Sequence, residues 1–228
     1  MKERPILFSG AMVRAILAGQ KTQTRRAVKL PHSNPLGAWE PTTFGGPNGG
    51  RTADGRTIPL QGGIWHTRTG DSPASPYGQP GDRLWVRETW QHSNHPLGPY
   101  DSDCLAFYRA DYLDDPLGPD LEHSADGIRR QWRPSIHMPR SACRLVLEIT
   151  GVRVERLHDI SEADAKAEGI TPREVRQMWL FGASAEECAA TYRRAAVEPF
   201  HELWEQINGA DAWNANPWVW VVEFRRVA

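Results

Sequence analysis

Apolar and polar positions change period several times along this chain, and each change predicts an element. Met12, Val13, Ile16 and Leu17 recur at helical spacing inside GAMVRAILAGQKTQTRR, which predicts a short amphipathic helix with one core-facing side. Pro5 to Ser9 reads as a strand before it. Gly19 reads as the stop, because glycine adopts the left-handed conformation at least cost. A second strand is expected over Lys21 to Lys29. After the turn signal Gly81-Asp82, Leu84, Val86, Glu88 and Trp90 alternate with Arg83, Trp85, Arg87 and Thr89, so the two sets face opposite sides of a strand. Leu105 to Ala110 is its expected hairpin partner. Leu145, Leu147 and Ile149 alternate with Val146, Glu148 and Thr150, in a strand running to Leu157 with a bulge expected at Gly151.

Helical signals then return. Ser161 is an N-cap followed by the first-turn acids Glu162 and Asp164, and the helix should stop near Gly169. Thr171-Pro172 starts another helix. Ala185 to Asn208 predicts a long one with an apolar stripe of Phe200, Leu203, Trp204 and Ile207, bent or divided at Pro199. Pro217 precedes a last strand, Trp218 to Val227, whose continuous apolar start implies burial on both faces. Residues 31 to 80 hold 10 of the 20 glycines and 8 of the 18 prolines, a composition that predicts a long irregular insertion. Its Trp39, Trp65 and His66 suggest partial burial, since disordered segments are poor in aromatics. Asp111 to Arg133 reads as a second irregular stretch. Strands without regularly alternating helices predict an α+β fold, a mixed β-barrel decorated by helices.

Composition narrows the class. A chain of 228 residues, 24% charged and 39% hydrophobic, suits one soluble domain with a substantial core. A net charge of −1 argues against holding duplex DNA by bulk electrostatics. Residues 1 to 30 nevertheless carry seven cations against Glu3 alone. Most cations are arginine, which suits bidentate phosphate contact and stacking on bases; Lys2, Lys21, Lys29 and Lys166 are the chain's lysines. Cys104, Cys143 and Cys188 lie far apart and are odd in number, so neither a disulfide scaffold nor a zinc site is expected. His92 and His95 near Cys104 read as loop residues rather than a metal cluster, and no cofactor is expected. MKERPILFSG has too short an apolar run for a signal peptide. Trp218 to Val222 falls far short of the ~20 residues that span a bilayer. A cytoplasmic protein without a membrane partner is the expectation; oligomeric state is left open.

The densest polar chemistry is Lys21-Thr22-Gln23-Thr24-Arg25-Arg26: an amine, two hydroxyls, an amide and two guanidinium groups in six residues. A solvated edge strand is the bland reading. Together with Gly81-Asp82-Arg83-Leu84-Trp85-Val86-Arg87-Glu88, the strand Leu145 to Leu157 with its helix Ser161 to Gly169, and Trp218 to Arg225, this order of pieces resembles the ASCH-domain family, which has a PUA-like β-barrel. Trp132-Arg133-Pro134-Ser135-Ile136-His137-Met138-Pro139-Arg140 adds a likeness to its long phage and prophage members. The resemblance spans about 110 residues and implies one domain over residues 1–228, with insertions at about 31–80 and 111–135.

One branch of that family removes the acetyl group from N4-acetylcytidine. The resemblance implies Thr24 as nucleophile, Lys21 as the base that activates it, and Glu168 as proton donor or orienting acid. Elementary chemistry agrees that a threonine hydroxyl needs a neighbouring base. A lysine serves if desolvation or adjacent arginines lower its pKa. A regular strand, however, points Lys21 and Thr24 to opposite faces. Glu88 is the rival carboxylate, on an apolar face where it needs a partner such as Arg25 or Arg87. Trp85 and Trp90 read as core or as stacking platforms, and His137 as a substrate contact or a turn closure. Arg25, Arg26, Trp85, Arg87, Glu88 and His137 complete the expected surface for RNA or a modified nucleoside. Three functions follow: an amidohydrolase, a non-catalytic RNA-binding module, or a ribonuclease using Lys21 and Arg25.

Overall fold

A computed structural model describes residues 1–45, 50, 51, 55, 57–95, 97–114, 131–171, 184 and 195–227. Cys188, the expected helix start at Pro172, residues 185–194 of the expected long helix and most of the second irregular stretch lie outside them. The fold is α+β, rich in strands, with an open sheet and few helices. The chain splits into two compact units. Residues 1–19, 82–148 and 225–228 form the first; residues 20–81 and 149–224 form the second. Among the described residues no helix is long and apolar enough to cross a membrane.

In the first unit, β1 (Glu3–Leu7) pairs in parallel with β7 (Arg83–Arg87), and β7 pairs antiparallel with the start of β10 (Val146–Arg156). The expected alternation in β7 is present: Leu84 and Val86 are fully buried while Arg83, Trp85 and Arg87 are half-buried. Helix α1 (Gly10–Leu17) starts at Ser9, whose hydroxyl accepts from the Met12 amide, and is followed by Gly19 at φ +72°. It buries Val13 and Ile16, worth about 1.5–3 kcal/mol each by apolar area. The segment expected to pair with the Arg83–Trp90 strand forms β9 (Ala106–Tyr108) and pairs instead with β8 (Trp90–His92). β7 stops at Arg87, and Glu88 continues the buried parity of Leu84 and Val86.

In the second unit, β2 (Gln23–Ala27) pairs antiparallel with β11 (Trp218–Arg226). Helix α2 (Glu162–Ala167) has the capping box Ser161–Asp164, with Glu168 as its C-cap and Gly169 at φ +84°. Helix α3 (Val197–Asn208) begins two residues before Pro199, after a turn at Ala195 and Ala196, so the proline sits in a first turn, where the missing amide is no loss. The Glu162 carboxylate takes the amides of Ala196 and Val197 at 2.9 and 3.1 Å, so an acid in the first turn of α2 caps the start of α3. Phe200 and Trp204 pack there with Leu157, Ile160, Ala165, Val219 and Val221.

Along β10 Val146 is buried at 6%, and from there the buried positions run 147 and 149, then 152 and 154. Their parity changes across Thr150-Gly151, as one extra residue at the expected bulge produces. The expectation that residues 31 to 80 lack regular structure is corrected. They contain β3 (Trp39–Phe44), β4 (Gly50–Arg51), β5 (Thr57–Ile58) and β6 (Gln61–His66), with β3 and β6 paired over six residues and β4 with β5. Two of the glycines that argued against a sheet are what permits it. A Cβ on Gly63 would stand 2.0 Å from the Phe44 ring, and one on Gly62 2.7 Å from the Arg153 Cα.

Candidate functional site

The chain leaves α1 through Gly19 and enters β2 by way of two residues with separate backbone partners. Lys21 forms an isolated antiparallel bridge with Glu168 at the end of α2. Thr22 donates its amide to the Ala167 carbonyl at 2.8 Å and accepts from the Phe224 amide at 2.8 Å. These bonds dock the KTQTRR segment on α2 and β11 within the second unit. The Lys21 ammonium then lies 2.7 Å from Glu168 Oε2 and donates at 2.8 Å to the Glu168 carbonyl. Lys21's side chain is fully buried and that of Glu168 is 4% exposed.

Arg25, two positions beyond Gln23 on the same face of β2, takes the other oxygen of Glu168, Nη1 to Oε1 at 3.3 Å. Its Nη2 contacts Glu155 of β10 and lies 3.5 Å from Asp164 Oδ2. Gln23 donates to the Asp164 carbonyl and carboxylate at 3.0 and 3.1 Å. Arg153 binds Glu155 at 3.0 Å, Asp164 at 2.7 Å, and Glu223. Gly151 leaves room for that last carboxylate, since a Cβ there would lie 2.6 Å from Glu223 Oε2. Three cations and four carboxylates thus form one connected network.

Burial pushes the Lys21 amine below the ordinary lysine range. Glu168 opposes that shift by charge and hydrogen bonding, while Arg26 and Arg25 reinforce it. Burial pushes Asp164 up, but hydrogen bonds from Ser161 and Gln23 and the charges of Arg25 and Arg153 outweigh it, holding the carboxyl at about 2. An amine moved toward neutrality, touching a carboxylate in a water-poor site, can accept a proton and pass it on.

The structure therefore brings Lys21 and Glu168 together and adds Arg25 to them. Thr24 is buried, at 2% exposure, and pairs across to Val222. Gln23 and Arg25, its neighbours in β2, both reach Asp164, so alternation assigns Thr24 the opposite face. Among the described residues its hydroxyl has no hydrogen bond to Lys21 or Glu168. Arg25 was expected at an RNA-facing surface; its side chain is fully buried among three carboxylates. Arg26 is half-buried in β2 opposite Trp220.

The other expected residues lie in the first unit. Glu88 is 1% exposed, and its partner is Arg144, not Arg25 or Arg87: Nε to Oε1 at 2.9 Å and Nη2 to Oε2 at 3.0 Å. Burial raises the Glu88 pKa, and Arg144 opposes the rise. Trp85 lies half-buried under Arg87, whose guanidinium stands 5.3 Å from the indole centroid and donates to the Ile136 carbonyl. Trp90 is 1% exposed and packs with Met138 and Ala142, hence core. His137 is exposed in a short turn, its amide donating to Pro134. His92, read as a loop histidine, is fully buried with Nε2 2.8 Å from Arg133.

Residues missed from the sequence are Gln23, Arg153, Glu155, Asp164 and Glu223, which complete the network. The even spacing of Lys21, Gln23 and Arg25 was the available signal, because period two places them on one face. Comparison with protein-family models, curated proteins and solved structures yields no match for this chain.

Proposed function

We propose that the chain hydrolyses the amide of a small acylated nucleoside, N4-acetylcytidine being the representative substrate, on an ASCH-type, PUA-like scaffold. The observation that carries this reading is the buried contact of 2.7 Å between Lys21 and Glu168, with the amine lowered by desolvation. Lys21 accepts the proton of the attacking nucleophile. Through that contact Glu168 relays a proton to the departing N4 amine as the acyl carbon–nitrogen bond breaks. Water supplies the hydroxyl that ends on acetate. The alternation in β2 favours water as the attacking group over the Thr24 hydroxyl, whose face lies opposite Arg25.

Burial also argues for the size of the substrate. A pair this enclosed suits a free nucleoside better than a duplex, whose bases would first have to be extruded. Arg25 is committed to carboxylates, which weakens the ribonuclease alternative, since that chemistry needs a free cation at the scissile phosphate.

The test is release of cytidine and acetate from N4-acetylcytidine between pH 6 and 9, followed by chromatography. Wild type is expected to turn over, Lys21→Met and Glu168→Gln to be slower by about 10²- to 10⁴-fold, and Thr24→Val to retain activity, water being the attacking group. Absence of turnover by wild type across that range overturns the hydrolase reading. Salt-sensitive binding of RNA by the same inactive protein would then favour the non-catalytic module.

A further inference from the structure

The manner in which Arg25 is held sets it apart from an ordinary buried ion pair. A guanidinium can meet one carboxylate with two parallel bonds, as Arg144 meets Glu88. Arg25 instead divides itself, with Nη1 on Glu168 and Nη2 on Glu155 and Asp164. Every carboxylate it touches is divided in turn. Glu155 gives its second oxygen to Arg153, Asp164 gives Oδ1 to Gln23 and Arg153 while Ser161 holds Oδ2 at 2.6 Å, and Glu168 gives Oε2 to Lys21. A carboxylate bound at both oxygens by groups on different elements cannot rotate without breaking a contact.

We infer that Arg25 is a positioning residue: anchored from behind by Glu155 and Asp164, its guanidinium fixes one oxygen of Glu168 so that the other is presented to Lys21. This rests on the hydrolase reading, in which that contact is the proton relay. A planar fork is required, because a lysine at this position offers a point charge that cannot span two carboxylate sites in fixed geometry. Among the described residues Lys21 feels Glu168 from the cap of α2 and Arg25 and Arg26 from β2, while Asp164 of α2, Glu155 and Arg153 of β10 and Glu223 of β11 join through the contacts of Arg25 and Arg153. Arg25 touches the carboxylate bound to the amine, Nη1 to Oε1 at 3.3 Å.

Four lysines make the test tractable. The full chain is labelled with ¹³C,¹⁵N-lysine, and Lys21 is followed by NMR against the exposed Lys2, Lys29 and Lys166. In Arg25→Gln the Lys21 midpoint is expected to move to higher pH, since a cation that disfavours the ammonium is gone, and its ammonium protons are expected to exchange faster with water. Arg25→Lys is expected to restore the midpoint but not the slow exchange. In both, kcat is expected to fall about a hundredfold with KM little changed, the cost of a misplaced catalytic group. Should Arg25→Gln fail to fold, Arg25→Lys decides alone.

Unchanged Lys21 exchange and unchanged kcat in a folded Arg25→Lys protein overturn the positioning role and leave the hydrolase intact. Faster exchange in a protein whose wild type releases no cytidine upholds the clamp and removes the hydrolase.

Discussion

Glu168 and Glu88 are both buried carboxylates beside an arginine, yet their surroundings differ in kind. Glu88 receives both terminal bonds of its pair from Arg144, which also stacks 4.0 Å over the Tyr108 ring and binds Asp111 at 2.7 Å. Burial pushes the Tyr108 hydroxyl up to about 12, so it stays protonated and donates to the Ala142 carbonyl at 2.8 Å. Both oxygens of Glu88 are thus held by one guanidinium. Glu168 is divided between a guanidinium that always carries its charge and an amine that can lose it. A saturated fork holds a fold together; a divided carboxylate on a titratable amine also offers a path for a proton.

The largest expected effect separates the two directly. If the divided carboxylate is chemical, Lys21→Met should lower kcat by about 10²- to 10⁴-fold, the usual contribution of a positioned acid or base. Glu88→Gln should leave kcat near wild type once folded protein is compared. Equal losses of kcat in both variants would erase the distinction and return both carboxylates to structural duty.

Stability should rank the sites in the reverse order. Arg144→Ala strands a carboxylate that is 1% exposed, and removing one partner of a buried pair costs about 3–5 kcal/mol. Lys21→Met should cost less, because Glu168 keeps Arg25 and the introduced methionine is apolar. Urea denaturation of the two variants measures the ranking. A larger loss for Lys21→Met would mean that the second network is the main staple of its unit.

Much of this contrast was readable in advance, and the unread part has identifiable causes. The spacing of Val13 and Ile16, the alternation of Leu84 and Val86, and the cap at Ser161 are local signals, and each marks an element that the structure contains. Strands β3 and β6 were unreadable because Gly62 and Gly63 argue against a sheet by composition, while the need for close approach is set by Phe44 and Arg153. Arg25 looked phosphate-facing because its sequence neighbours are basic; its carboxylates come from 130 to 143 residues away. Arg144 was missed as the partner of Glu88 for the same reason, being 56 residues distant and delivered by strand register, with the Val86 amide on the Leu145 carbonyl. Local pattern specifies elements; charge partners are chosen by topology.

The smallest expected effect is a difference in sign with pH. Lys21's pKa is lowered in the folded chain, so between its folded value and the ordinary lysine value the unfolded chain binds more protons. Stability from this group therefore rises with pH across that alkaline window. Glu88's pKa is raised, so between the ordinary glutamate value and its folded value the folded chain binds more protons. Its contribution falls as pH rises through that acid window. Subtracting the pH profile of Lys21→Met from wild type should give a positive alkaline slope, and subtracting Glu88→Gln a negative acid one. A flat alkaline difference would mean that Lys21 titrates alike folded and unfolded. The amine would then be an ordinary ammonium, and Glu168 as structural as Glu88.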